Sequence, residues 1–152
     1  MTTTTGILIR PSGSTTERTF DSDEAAARIL HGDEADLTVI SGGPTELTGC
    51  EGSLLLGRTA NSPGREKLDL NPIATALCGE KLYGPVLLIG DENGDTASVK
   101  GAADTAQFIR RALRWICIDG NNDSAAVRDL MRQAVEHLGA WRRDVLTTET
   151  LH

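Results

Sequence analysis

Apolar residues fall into two regimes along this chain: short runs broken by turn formers up to about residue 100, then a helical period from Asp104 onward. Gly6 to Arg10 (GILIR) reads as a strand, Pro11 to Ser14 as a turn, and Thr15 to Phe20 (TTERTF) as the return strand of a hairpin. Asp21, with Glu24 three residues on, has the look of a capping box. It predicts a helix through Ala25, Ala26, Ala27, Ile29 and Leu30 that Gly32 stops. Leu37 to Ser41 (LTVIS) is a third strand, ended by Gly42-Gly43-Pro44, and Ser53 to Gly57 (SLLLG) is a fourth. Thr59 to Arg65 is an exposed loop, and Asn71-Pro72 starts a short helix, with Asn as cap and Pro as first helical residue, that ends at Gly79. Pro85 to Gly90 (PVLLIG) is the fifth strand; Asp91 to Asp95 turns, and Thr96 to Val99 can form a short sixth.

SLLLG and PVLLIG are apolar at successive positions, the mark of strands covered on both faces. The remaining third of the chain is expected to supply that cover. Its first helix buries Ile109, Ala112, Leu113, Ile116 and Cys117. Its second, capped by Asp123 or Ser124, carries Val127, Leu130, Met131, Ala134, Val135, Leu138 and Trp141 as one amphipathic stripe. The two should form an antiparallel hairpin, with residues 144–152 fraying. The expected fold is α+β: a small mixed or antiparallel sheet of about five strands with short helices over residues 1–100, then a two-helix hairpin over 101–152, packed on the sheet or on a second copy.

Charge separates the same two parts. Residues 1–100 hold 8 basic and 15 acidic side chains, a net −7, whereas residues 101–152 hold 7 of each. The acidic part should repel nucleic acid and anionic membranes. Aromatics are limited to Phe20, Tyr83, Phe108, Trp115 and Trp141, so the core is aliphatic and there is no platform for stacking bases. Met1 to Thr5 has no basic start or long apolar run, so neither a signal peptide nor a membrane span is expected. Cys50, Cys78 and Cys117 are odd in number and unpatterned, which fits structural thiols in a reducing, cytoplasmic setting.

Candidate chemistry is sparse. In a calcium loop beginning at Asp91, Gly94 falls at position 4 where position 6 needs it, and Ala102 stands at position 12. The Asp119-Asn121-Asp123 spacing fails at Ser124 and Leu130. A hairpin turn and a helix cap are the better readings. His31, placed at a helix C-terminus, His137 and His152 have no metal-ligand spacing. Neither phosphate-loop, dinucleotide nor nucleophile-elbow patterns occur. No metal or cofactor is expected. Arg110, Arg111, Arg114, Arg128 and Arg132 are candidate anion contacts, but Asp129, Glu136 and Asp144 are interleaved, which favours a salt-bridged solvated face.

The order ILIRPSG, LTVIS, DLNPIATAL and YGPVLLIGDENGD resembles an uncharacterised domain of phages, mobile elements and actinomycetes, domain of unknown function 3846, over roughly residues 6–99. Arg10, Pro11 and Gly13, then Asn71, Pro72, Ala74 and Thr75, then Gly84, Val86 and Gly90 carry the likeness. The resemblance implies an accessory protein and transfers no activity.

The expected function is therefore non-enzymatic binding of a host macromolecule, with a protein partner favoured, or of a small ligand. An acidic nucleic-acid mimic that inhibits a host DNA-binding or defence protein, and an enzyme with an unrecognised site, are the alternatives. Arg58, Arg65, Asn71 and Thr75 would form the binding edge, against a purely structural reading of the same residues. Direct nucleic-acid binding should be weak, and the C-terminal helices offer a route to a homodimer.

Overall fold

A computed structural model describes residues 3–32, 36–41, 45–63 and 67–113, together with Asp129, Arg132, Gln133 and Glu136. The expected second helix and most of the hairpin lie outside these residues.

Among the described residues the sheet has six strands and is antiparallel throughout; the sixth is the short strand that the sequence allowed after the Asp91–Asp95 turn. Strand β1 (Thr4–Ile9) turns into β2 (Thr15–Phe20). The turn needs Pro11 after Arg10 and Gly13 at φ 92°, where the Gly13 amide donates to the Arg10 carbonyl at 2.8 Å. Strands β3 (Thr38–Ser41), β4 (Gly52–Arg58), β5 (Tyr83–Glu92) and β6 (Asp95–Ala97) follow, in the spatial order β2-β1-β5-β4-β3, with β6 beside β5. Asn93 and Gly94, both at positive φ, make the two-residue turn between β5 and β6, so the acidic Asp91–Asp95 segment is a hairpin turn.

Strand β5 lies at the centre, between β1 and β4. Val86 and Leu88 point to one face, Leu87 and Ile89 to the other, and all four are buried. On the first face Ile7, Ile9, Leu55, Val86 and Leu88 meet helices α2 (Thr45–Thr48), α3 (Pro72–Cys78) and α4 (Ala102–Phe108). The core continues through Ala102, Ala106, Ile109 and Leu113, so it runs unbroken past residue 100. Leu8, Phe20, Leu87 and Ile89 on the second face meet α1 (Asp23–Ile29). Cover on both faces was legible in the apolar runs. Among the described residues, α1 packs on part of one face, and α3 shares the other with the start of the C-terminal third. Helix α2, which follows Gly42-Gly43-Pro44, was not expected; Leu47 anchors it in the core.

Two end signals on α1 are displaced by one residue. The cap is Ser22, whose Oγ accepts from the Ala25 amide at 3.1 Å, and not Asp21. His31 lies beyond the last turn, in the left-handed region at φ 57°, and Gly32 donates back to the Ala27 carbonyl at 3.1 Å. A β-carbon is strained there. Replacing His31 with Gly should raise stability by ~0.5–1 kcal/mol, the relief of strain exceeding the added chain entropy. The check is the urea midpoint at unchanged slope; a lower midpoint would show that the imidazole makes a contact worth more than the strain.

Candidate functional site

Asn71, Thr75 and Arg58 do not form an exposed edge. Asn71 is fully buried. Its Oδ1 accepts from the Ala74 amide at 3.2 Å, capping α3 as its sequence position predicts. Its Nδ2 donates to the carbonyls of Ile9 in β1 and Gly84 in β5, each at 2.9 Å. The side chain therefore joins a helix to two strands, and none of its hydrogen-bonding capacity faces solvent. Thr75 is also buried, and its Oγ1 accepts from the Leu82 amide at 3.1 Å. Arg58 is buried at the end of β4 and donates from Nη2 to the Leu30 carbonyl at 2.9 Å, where α1 ends. Thr59 and Ser62 close the following loop on itself: the Thr59 amide donates to Ser62 Oγ at 2.9 Å and the Ser62 amide to the Thr59 carbonyl at 3.1 Å. Arg65 lies outside the described residues.

Of the candidate anion contacts, Arg110 and Arg111 are exposed on a π-turn, Ile109–Leu113, that continues α4. Arg132 is committed within its own helix, to Asp129 and, at 3.1 Å, to Glu136. The hydrogen bond from Arg132 holds the Asp129 carboxyl below its usual range and, in return, raises the guanidinium. At Arg132 this is the salt bridging that the interleaved Asp129 and Glu136 implied. Arg114 and Arg128 lie outside the described residues.

A polar cluster sits where α2 meets the sheet. Thr48 Oγ1 lies 2.9 Å from Ser53 Oγ and 3.2 Å from the Gly52 carbonyl, and accepts from the Cys50 amide at 3.3 Å. The buried Cys50 thiol rests against the Ser98 carbonyl at 3.4 Å. Burial, reinforced by the Glu92 charge and opposed by Lys100, pushes this thiol above its ordinary value. Cys78 is half-buried and Cys117 lies outside the described residues. Among the described residues no three of His, Cys, Asp and Glu come together as a metal site.

The open surface of interest is on the second face of the sheet. Helix α1 has seven residues, so it is only about 10 Å long. Five strands side by side span nearly 20 Å, roughly twice that. The helix packs toward β2, and among the described residues no helix covers the β3–β4 side. Leu54 and Leu56 are consequently only half-buried, and Val39 is 56% exposed, the one large apolar side chain so exposed among the described residues. A crevice of about 360 Å³ results, floored by Phe20, Leu37, Leu54, Leu56 and Ile89, with Val39, Asp23 and Thr96 on its wall. Asp21, Asp23 and Glu24 at the start of α1, and Asp95 across from them, are exposed. Sequence reasoning missed this site because a continuous apolar run announces two covered faces but not how far each cover reaches.

No family model matches the chain, and no curated protein matches it, so the family resemblance rests on its short motifs alone. Among solved structures, the crystal structure of the small RNA methyltransferase HEN1 matches with a TM-score of 0.51 and 11% identity over 70% of this chain. The chain spans 16% of the length of that protein. At this identity the likeness concerns the fold alone. Among the described residues no helix is long and apolar enough to cross a membrane.

The burial of Asn71 sharpens its expected effect. Loss of an exposed cap costs about 1 kcal/mol, but Asn71→Ala also strands two buried carbonyls and should cost about 3 kcal/mol or more. Asn71→Asp should be at least as damaging at neutral pH, because a carboxylate cannot donate to either carbonyl. Denaturant unfolding measures both. A loss near 1 kcal/mol in the Ala variant would mean that only the cap counts.

Proposed function

We propose that the protein works by binding, and that it receives a protein partner which inserts an apolar side chain into the crevice beneath Val39. The observation that carries this reading is the incomplete cover of the second face: a pocket of about 360 Å³ with an aliphatic and phenyl floor. Pockets of this size accept one anchoring side chain or a small ligand. Asp23 on the wall, with the exposed Asp21, Glu24 and Asp95 near lining residues in sequence, favours a partner with basic groups around its anchor. The resemblance to an accessory family agrees with a binding role.

The reading is tested by capture from a host lysate with wild type and a Leu54→Glu variant, each first shown to melt within a few degrees of the other. Leu54 is half-buried in the crevice floor, so a carboxylate there should block an apolar anchor. Enrichment of the partner should fall by about tenfold or more, the effect of losing one central contact. Equal enrichment by both proteins would reject the crevice as the binding site.

A further inference from the structure

Among the described residues the sheet ends in two unpaired edge strands, β2 and β3, and they differ in a way that selects one of them for pairing. Which backbone groups each edge presents follows from the register. The Val99 amide donates to the Thr5 carbonyl at 2.9 Å, and the Thr5 amide to Ser98 Oγ at 2.9 Å, so Thr5 turns its backbone away from β2. Thr19, opposite Thr5, therefore points its own amide and carbonyl off the free edge, and Glu17 and Thr15 follow by the two-residue period. On the other side, the two-residue Asn93-Gly94 turn makes Glu92 and Asp95 a hydrogen-bonded pair, so Leu88 and Gly90 turn toward β1 and β6, and Leu87 and Ile89 toward β4. Leu54 and Leu56 answer these, Leu55 then turns to Ile40, and Val39 and Ser41 present their amides and carbonyls to the free edge.

In an antiparallel ladder outward residues pair only with outward residues. Two copies joined along β2 in the fullest register would set Glu17 against the partner's Glu17. A shift by one pair sets Arg18 against the partner's Arg18. Like charges directly opposed are destabilising, so β2 is guarded against its own copy in both of its fullest registers. Strand β3 carries no such guard. Thr38–Ser41 has no charge, no proline and no bulge. Centred on the two-fold, it sets Val39 against the partner's Val39 and Thr38 against the partner's Ile40. That contact covers the most exposed large apolar side chain among the described residues.

We infer that two copies of the chain pair antiparallel through β3, with Val39 on the two-fold axis and the sheets continuing from one copy into the other. The pairing leaves the floor of the crevice open and does not rest on the partner proposed for it. Only Thr38, Val39 and Ile40 of β3 pair about that axis, so association is weak and depends on concentration.

Sedimentation velocity over a hundredfold range of concentration should show monomer passing to dimer. Val39→Lys places two ammonium groups on the axis and should weaken association by on the order of a hundredfold. Ser41→Pro deletes an outward amide, the one position type where an edge strand accepts proline, and should weaken it while leaving the fold intact. In a Val39→Cys variant the paired Cα atoms would stand about 5.5 Å apart, within disulfide reach. Mild oxidation should therefore link the copies at position 39, as read by mass spectrometry. Leu54→Glu, which alters the crevice floor and not the edge, should leave association unchanged. A monomer at every concentration, a dimer that survives both Val39→Lys and Ser41→Pro, or a dimer lost on Leu54→Glu would each overturn the inference.

Discussion

The fold is organised by one requirement: the segment Val86–Ile89 has no wet side. Four consecutive apolar side chains on a central strand must be covered above and below, and each gains about 1.5–3 kcal/mol when that happens. Together they contribute on the order of the net stability of a small domain. The other elements are placed to meet this need. Strands β1 and β4 flank β5, α3 and α4 close one face, and α1 closes part of the other. Even the polar tie at Asn71 serves it, by fixing α3 to the backbones of β1 and β5 at the edge of the first-face core.

What the sequence showed well was local. Asn71, Pro72 and Gly79 each carry a helix-end signal that acts within a turn of its own position, and all three occupy the places those signals predict. The strands were readable because apolar runs of four to six residues bounded by Gly and Pro admit few alternatives. The misses have physical reasons of the same scale. Helix α2 is one turn long and has a single buried anchor, too little for a period to show. Asp21 and Ser22 are adjacent residues of equal capping ability, and only the path of the chain out of β2 decides between them.

The candidate site was hidden for another reason. Asn71 and Thr75 stood out as polar residues in an apolar setting, which is equally the mark of a buried tie, and the deciding partner, the Ile9 carbonyl, lies 62 residues away. The crevice has no residue signature at all. It is a shortfall of cover on the β3–β4 side among the described residues, and that belongs to no one position. Arg132 shows the converse: its partners are three and four residues distant, and its salt-bridged role could be read directly.

The pairing of β1 with β5 has a consequence for synthesis. Ile7 and Ile9 leave the ribosome some eighty residues ahead of their partners Leu88 and Val86. Until then β1 has only β2 beside it, and an isolated two-stranded hairpin is marginal in water. The strands made first can therefore neither lock in place nor hide their apolar faces one at a time. The sheet cannot be completed until its middle strand arrives, which places its decisive contacts at long sequence separation.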